Sequence, residues 1–196
     1  MILRRAGIVA LALAPVLAPA MESDIRVVHL RVEGDTELST PAGDDCREWD
    51  DAERWGLQYL LVLRVPIVGV HVGVEASSEE RADQGVDYTV AAGHLVAGAR
   101  VSLFPIFLHL EANGQAGYGI ADLDLHGRDN DDGNWVGYSL GLDLVGSVPI
   151  ATVFTIEAGI GGGWLTSESS HSIDGVDHDV RAPDNLYGRI FVGVRF

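Results

Sequence analysis

The run Ile106-Phe107-Leu108-His109-Leu110-Glu111-Ala112-Asn113-Gly114-Gln115-Ala116 decides how this chain folds. Its even positions are all apolar or small, whereas from His109 onward its odd positions are His, Glu, Asn and Gln. Side chains alternate faces along a strand, so the segment reads as a strand with one greasy face and one wet face. The same period returns where Val68, Val70, Val72 and Val74 alternate with Gly69, His71, Gly73 and Glu75. It returns again where Tyr138, Leu140, Leu142 and Leu144 stand opposite Ser139, Gly141 and Asp143. After the first twenty residues the sequence shows neither a sustained apolar pattern at helical spacing nor an apolar run long enough for a spanning helix.

Three prolines punctuate the alternation. Val65-Pro66-Ile67, Phe104-Pro105-Ile106 and Val148-Pro149-Ile150 each separate two alternating runs, and a proline there predicts a tight turn that ends the ladder. Polar stretches at 35–54, 77–87, 121–134 and 166–184, rich in Asp, Glu, Ser and Gly, read as four long loops. Strands are then expected at 25–34, 55–64, 67–76, 90–103, 106–120, 135–147, 150–165 and 186–196. Eight strands with short turns on one side and long loops on the other predict an all-β, antiparallel, up-and-down transmembrane barrel of the bacterial outer-membrane type. A soluble lipocalin-type barrel is the rival, but it would turn its apolar face inward and its charges outward. Here the wet faces are rich in Gly and Ser and carry matched charges, which suits an interior. Trp55, Tyr118, Tyr138 and Trp164 fall in the apolar phase near the loop ends of their strands and predict one membrane-interface girdle. Trp135 and Tyr88 lie near the same ends in the other phase.

Composition agrees with export and argues against nucleic acid. The 196 residues carry 29 acidic and 13 basic side chains, all arginine, for a net charge of −16, and no basic patch stands outside the first residues. Arg4 and Arg5, the apolar run 6–17 and Ala18-Pro19-Ala20 form a signal-peptide pattern, with cleavage expected after residue 20 and a barrel over 21–196. Cys46 has no second cysteine to pair with, and its neighbours Gly43-Asp44-Asp45 do not fit a lipoprotein acylation site.

The last strand closes the case. In Leu186-Tyr187-Gly188-Arg189-Ile190-Phe191-Val192-Gly193-Val194-Arg195-Phe196, the residues Ile190, Val192, Val194 and terminal Phe196 share one face. This pattern resembles the C-terminal strand of outer-membrane proteins, and the eight-strand layout resembles the small OmpA/OmpX-type barrels. The resemblance implies that Ile190, Val192, Val194 and Phe196 are the signal read by the barrel-assembly machinery, and it assigns no functional subfamily.

Extending the alternation places Arg31, Arg64, Arg100, Arg189 and Arg195 in the lumen, opposite Glu33, Glu75, Glu111, Asp143 and Glu157. An eight-stranded barrel is only just wide enough to be filled by side chains, and unpaired charge there is costly, so a closed ionic network is expected. His29, His71, His94 and His109 share the lumen phase. They either join that network or, for His109 with Glu111, hold a metal or act as a base. Ser102 is the candidate nucleophile if the barrel modifies lipid A. The stretch 122–134 has the oxygen-rich chemistry calcium prefers without the EF-hand spacing. The expectation is therefore a monomeric, non-enzymatic outer-membrane barrel with a plugged lumen and acidic surface loops, without cofactor, metal site or catalytic residues. Its expected surroundings are membrane lipid and lipopolysaccharide, with divalent cations at the loops. A narrow ion channel, favoured if Gly159, Gly161, Gly162 and Gly163 leave space inside, and a lipid A-modifying enzyme are the alternatives.

Overall fold

The computed structural model describes residues 20–34, 36–40, 43–47, 52–64, 67–83, 86–104, 107–125 and 131–196. Its strands are β1 (Ala20–Glu33), β2 (Thr36–Thr40), β3 (Gly43–Arg47), β4 (Ala52–Arg64), β5 (Val68–Asp83), β6 (Val86–Phe104), β7 (Leu108–Leu125), β8 (Asp131–Ala151), β9 (Phe154–Ile173) and β10 (Val176–Arg195). β1 and β4 to β10 form an antiparallel ring in which each strand lies beside its neighbour in sequence. β1 closes the ring against β10, from Asp24↔Arg195 to Glu33↔Leu186. The all-β, eight-stranded, up-and-down barrel expected from sequence is the observed fold.

Alternation sorts side chains between two solvents, and the sorting reverses partway up the wall. In the half nearer the termini the outside is apolar, with Val70, Val72, Leu140, Leu142, Ile190 and Val192 exposed, while His71, Arg100, Glu111 and Asp143 are buried inside. In the far half the inside gains an apolar cluster, with Val86, Tyr88, Val90, Leu123, Ile173 and Val180 buried beside Glu79, Arg81, His171 and His178, while Asp87, Thr89, Glu168 and Asp177 face out. Trp55, Tyr118, Tyr138 and Trp164 point outward where one regime gives way to the other. A wall in hydrocarbon below this level and in water above it requires such a reversal.

The structure corrects three sequence expectations. The stretches 77–87, 121–134 and 166–184 are mostly strand, with β5 running to Asp83, β6 starting at Val86, and β9 and β10 meeting at Asp174-Gly175. Their polar content marks an outer face in water and, at Glu79, Arg81, Ser169 and His171, inward polar groups as well. Residues 126–130, the middle of the oxygen-rich stretch, lie outside the described residues, as does the leader to residue 19. The stretch 35–54 also holds strand: β2 and β3 form a hairpin, and β2 extends the sheet from the far end of β10 through Glu37–Ser39 against Asp179–Arg181.

The second correction is the phase of β1. Asp24, Arg26, Val28, Leu30 and Val32 face inward, while His29 is half-buried on the outer side and Arg31 and Glu33 are exposed. β1 is apolar on its outer positions Ile25 and Val27, then on its inner positions Val28, Leu30 and Val32, because it crosses the level where the rule inverts. Its wet residues above that level therefore face water outside. The third correction is the last turn. β8 continues through Pro149 to Ala151 and turns at Thr152-Val153, and the ladder to β9 shifts between Pro149 and Ala151, where a residue without an N–H is tolerated. Val65, Pro66, Pro105 and Ile106 lie outside the described residues.

The far half makes a direct test. Leu123→Asp puts an unpaired carboxylate into its apolar interior and is expected to cost at least about 3 kcal/mol, whereas Asp87→Asn on the outer face should stay within about 0.5 kcal/mol. Urea unfolding of the refolded barrel, followed by tryptophan fluorescence, measures both.

Candidate functional site

The alternation that turns apolar side chains toward lipid leaves charged residues facing one another across a narrow lumen. At the level of Glu111, seven strands contribute to one interlocked cluster. Arg26 of β1 holds Glu111 of β7 with both ends of its guanidinium, Nη1 to Oε1 at 2.6 Å and Nη2 to Oε2 at 3.0 Å. Arg100 of β6 donates to Glu111 Oε2 from Nε at 2.9 Å and Nη2 at 2.7 Å, and reaches both oxygens of Glu157 on β9 at 2.9 Å. Arg26 Nε donates to Asp24 at 2.8 Å, and Arg195 of β10 and Ser147 of β8 complete the shell of Glu157. Beside this, Arg189 of β10 pairs with Asp143 of β8, Asn113 donates to the same carboxylate, and the Asn113 amide oxygen meets His71 Nε2 of β5 at 2.7 Å. The Arg26 guanidinium lies 4.3 Å from the centre of the Phe191 ring, which adds a cation–π contact.

Four arginines (26, 100, 189, 195) thus meet four carboxylates (24, 111, 143, 157), and Glu22 at the rim joins Arg195 at 3.1 Å to Arg64 at 3.6 Å, so five arginines balance five carboxylates. The eight inner ions are all buried. Buried pairs survive only with good geometry, which the bidentate contacts to Glu111 and Glu157 supply, while Asp24 Oδ1 lacks a hydrogen-bond partner among the described residues. A second layer lies above: Arg54 donates to Glu75 at 2.7 Å and to Gln115 at 3.2 Å, and contacts His94 at 2.9 Å, while Gln58 and Gln115 both donate to Glu75 at 3.1 Å. Higher still, Arg81 donates to Glu79 at 2.7 Å and to the Thr36 hydroxyl at 2.6 Å, beside the apolar cluster around Leu38, Trp135 and Ile173.

Of the ten residues expected in the lumen network, the structure brings Glu75, Arg100, Glu111, Asp143, Glu157, Arg189 and Arg195 inside, and holds Arg64 half-buried at the rim, 3.6 Å from Glu22. Arg31 and Glu33 stand outside, and Asp24 and Arg26 take the inner positions of β1 in their place. Arg54 also escaped the sequence reading, since it lies one residue before the stretch taken as strand. The available signal is its parity, since Arg54 is even-numbered like the inner positions Gln58 and Leu60 and stands one step from outward Trp55.

His71, His94 and His109 point inward, whereas His29 packs outside on Trp55 with ring centres 4.3 Å apart. Ser102 Oγ and His109 Nδ1 are 3.2 Å apart, and among the described residues His109 Nε2 has no hydrogen-bond partner and no carboxylate orients this pair as a triad requires. Among the described residues no group of three or more His, Cys, Asp or Glu side chains is arranged to hold a metal. On the outside, Trp55, Tyr118, Tyr138 and Trp164 are each more than half exposed, and Ile190, Val192, Val194 and Phe196 all face outward on β10.

No protein-family model matches the sequence, and no curated protein does. Among solved structures, the outer membrane protein OprG from Pseudomonas aeruginosa matches at 11% identity and TM-score 0.53, over 92% of this chain and 98% of that one. The fold is that of the small outer-membrane β-barrels. Neisserial surface protein A is similar over 89% of this chain and 95% of its own, at 13% identity and TM-score 0.46. Ail of Yersinia pestis is similar over 89% of this chain and 98% of its own, at 16% identity and TM-score 0.41. The likeness to OprG shows the fold alone, and the chemistry of the site rests on this chain's own residues.

Glu111 is the joint of the lumen. Glu111→Ala leaves Arg26 and Arg100 short of their main partner and is expected to destabilise the barrel by about 3–5 kcal/mol, against less than about 0.5 kcal/mol for Arg31→Ala outside. Urea midpoints of the refolded variants, compared at equal slope, give the two values.

Proposed function

We propose that the protein is a monomeric, non-enzymatic integral outer-membrane protein whose lumen is plugged by its own ion pairs. In this reading the barrel is a rigid scaffold that carries an acidic outer end for envelope stability or surface interaction. The single observation behind it is the neutral cluster around Glu111 and Glu157, in which arginines from β1, β6 and β10 reach across the narrow interior and leave its carboxylates paired. Outward-facing Glu53, Glu80, Asp87, Asp132, Glu168 and Asp177 make the far end acidic, which suits hydration or divalent cations in a layer of anionic lipopolysaccharide. The far end is then extracellular, the termini periplasmic, and the leader removed on export. The aromatic level from Trp55 to Trp164 is the membrane interface, and the outer face of β10 ending at Phe196 is the surface offered to the assembly machinery.

Against enzymatic modification of lipid A, the Ser102–His109 pair points into the lumen and lacks an orienting acid. Planar-bilayer recording of the refolded chain tests the plug, with the boiled-versus-unboiled gel shift reporting barrel formation. The expected outcome is a heat-modifiable protein without steady conductance; steady, ion-selective current would make it a narrow channel instead.

A further inference from the structure

At the end that carries the termini, the wall finishes in turns that are apolar. Turns in water draw on Gly, Asn, Asp and Ser. Here Val101-Ser102-Leu103-Phe104-Pro105-Ile106-Phe107-Leu108 contains no charge, and neither does the run from Val148 to Ile156. Ile67, Phe104, Phe107, Ile150 and Val153 are each 63–65% exposed, Phe154 49% and Phe196 51%. Exposed apolar surface of this extent marks a face that meets a membrane or a partner.

The backbone of these turns is provided for as hydrocarbon requires, where every N–H and C=O must find a partner within the protein. Ser102 N donates to Ile67 O at 2.9 Å, Ser147 N to Phe107 O at 2.9 Å, and Phe107 N to Phe104 O at 3.1 Å. Two turns are thereby stitched to the next strand around the ring. Each turn also contains a proline, Pro66, Pro105 or Pro149, which has no N–H to satisfy. Water would make either provision unnecessary.

We infer that the three turns lie in the periplasmic leaflet, where Phe104, Phe107, Ile150, Val153 and Phe154 pack on phospholipid as a second contact ring, opposite the level of Trp55 and Trp164. Phe107 stands eleven residues from Tyr118 along β7 and its turn. At about 3.4 Å per residue and a tilt of about 40°, the two lie about 29 Å apart across the membrane, against an apolar band about 25 Å tall in such barrels. The rings therefore bracket the hydrocarbon, and the turn tips reach the glycerol level. A docking face for a periplasmic protein would gather its apolar residues across the barrel's end. Here Ile150 and Phe154 instead continue the outward phase of Leu144, Val148 and Ile156, so the collar is continuous with the apolar outer wall. The rim of the lumen inside that collar holds ions, with Glu22 between Arg195 and Arg64. The inference rests on the membrane-barrel reading above and adds inner-leaflet phospholipid as the partner of the short end.

The test places a nitroxide on the last turn of the full refolded chain, as Val153→Cys in a Cys46→Ser background, in phosphatidylcholine vesicles. Its collisions are measured with oxygen, which partitions into lipid, and with a water-soluble nickel chelate. Val72→Cys on the middle of the outer wall and Thr89→Cys on the wet outer face of the far half are the references, and Ile67→Cys repeats the measurement on another turn. The oxygen-to-nickel ratio at residues 153 and 67 is expected to exceed that at residue 89 by about tenfold, since each collider keeps to its own solvent. Each labelled variant must show the heat-dependent gel shift of the wild type. Labels at 153 and 67 as open to nickel as that at 89, with 72 still shielded, overturn the lipid ring while leaving the barrel reading intact, and free the short end for a periplasmic protein. A label at 72 that is open to nickel overturns both.

Discussion

A strand in hydrocarbon has no water to satisfy its N–H and C=O groups, so the sheet must close on itself. Here closure is the β1–β10 ladder, from Asp24↔Arg195 to Glu33↔Leu186, finished by reciprocal backbone bonds between Ser23 and Phe196 at 2.8 and 2.9 Å. Everything else follows from that ring. Closure with eight strands fixes a narrow lumen, and the pleat sends every second side chain into it. The outward residues of the half nearer the termini are apolar, so the inward ones collect the polar groups in a narrow space.

That confinement explains why the interior is a network rather than a set of isolated pairs. Glu111 is shared by Arg26 and Arg100, and Glu157 by Arg100 and Arg195, so each strand that supplies an ion is tied to others across the axis. Buried ion pairs contribute little net stability relative to apolar packing, yet removing one partner is costly. Such a cluster selects one register among those the ladder would allow, since a one-residue slip of β7 would send Glu111 into lipid.

The far half shows the same wall under the opposite rule. Val86, Tyr88, Val90 and Leu123 make a small apolar core, while Asp87 and Thr89 face out, as in a water-soluble barrel. The polar stretches read as loops because an acidic, Ser-rich composition is what both a loop and a strand in water show; 121–125, apolar at Ala121, Leu123 and Leu125, keeps a clear period of two, whereas 77–83 and 166–172 carry polar residues in both phases. β1 was misread for a related reason. Its apolar residues change parity at Val27-Val28, and no local feature says that the solvent outside, rather than the strand, has changed.

What the sequence determined by itself was the kind of fold: the period of two, the even number of strands, the outward aromatics Trp55, Tyr118, Tyr138 and Trp164, and the closing strand that ends at Phe196. These are local or one-strand properties, and a strand's own alternation records them. The closed ring settled which partner each ion meets, the parity of β1, and the height to which the strands continue. Each depends on neighbours far away in the chain, because Arg26 finds Glu111 and Trp164 finds Leu140 only after the ladders fix their relative register. Alternation tells a residue which of two faces it occupies, and only the closed ring tells that face what lies beyond it.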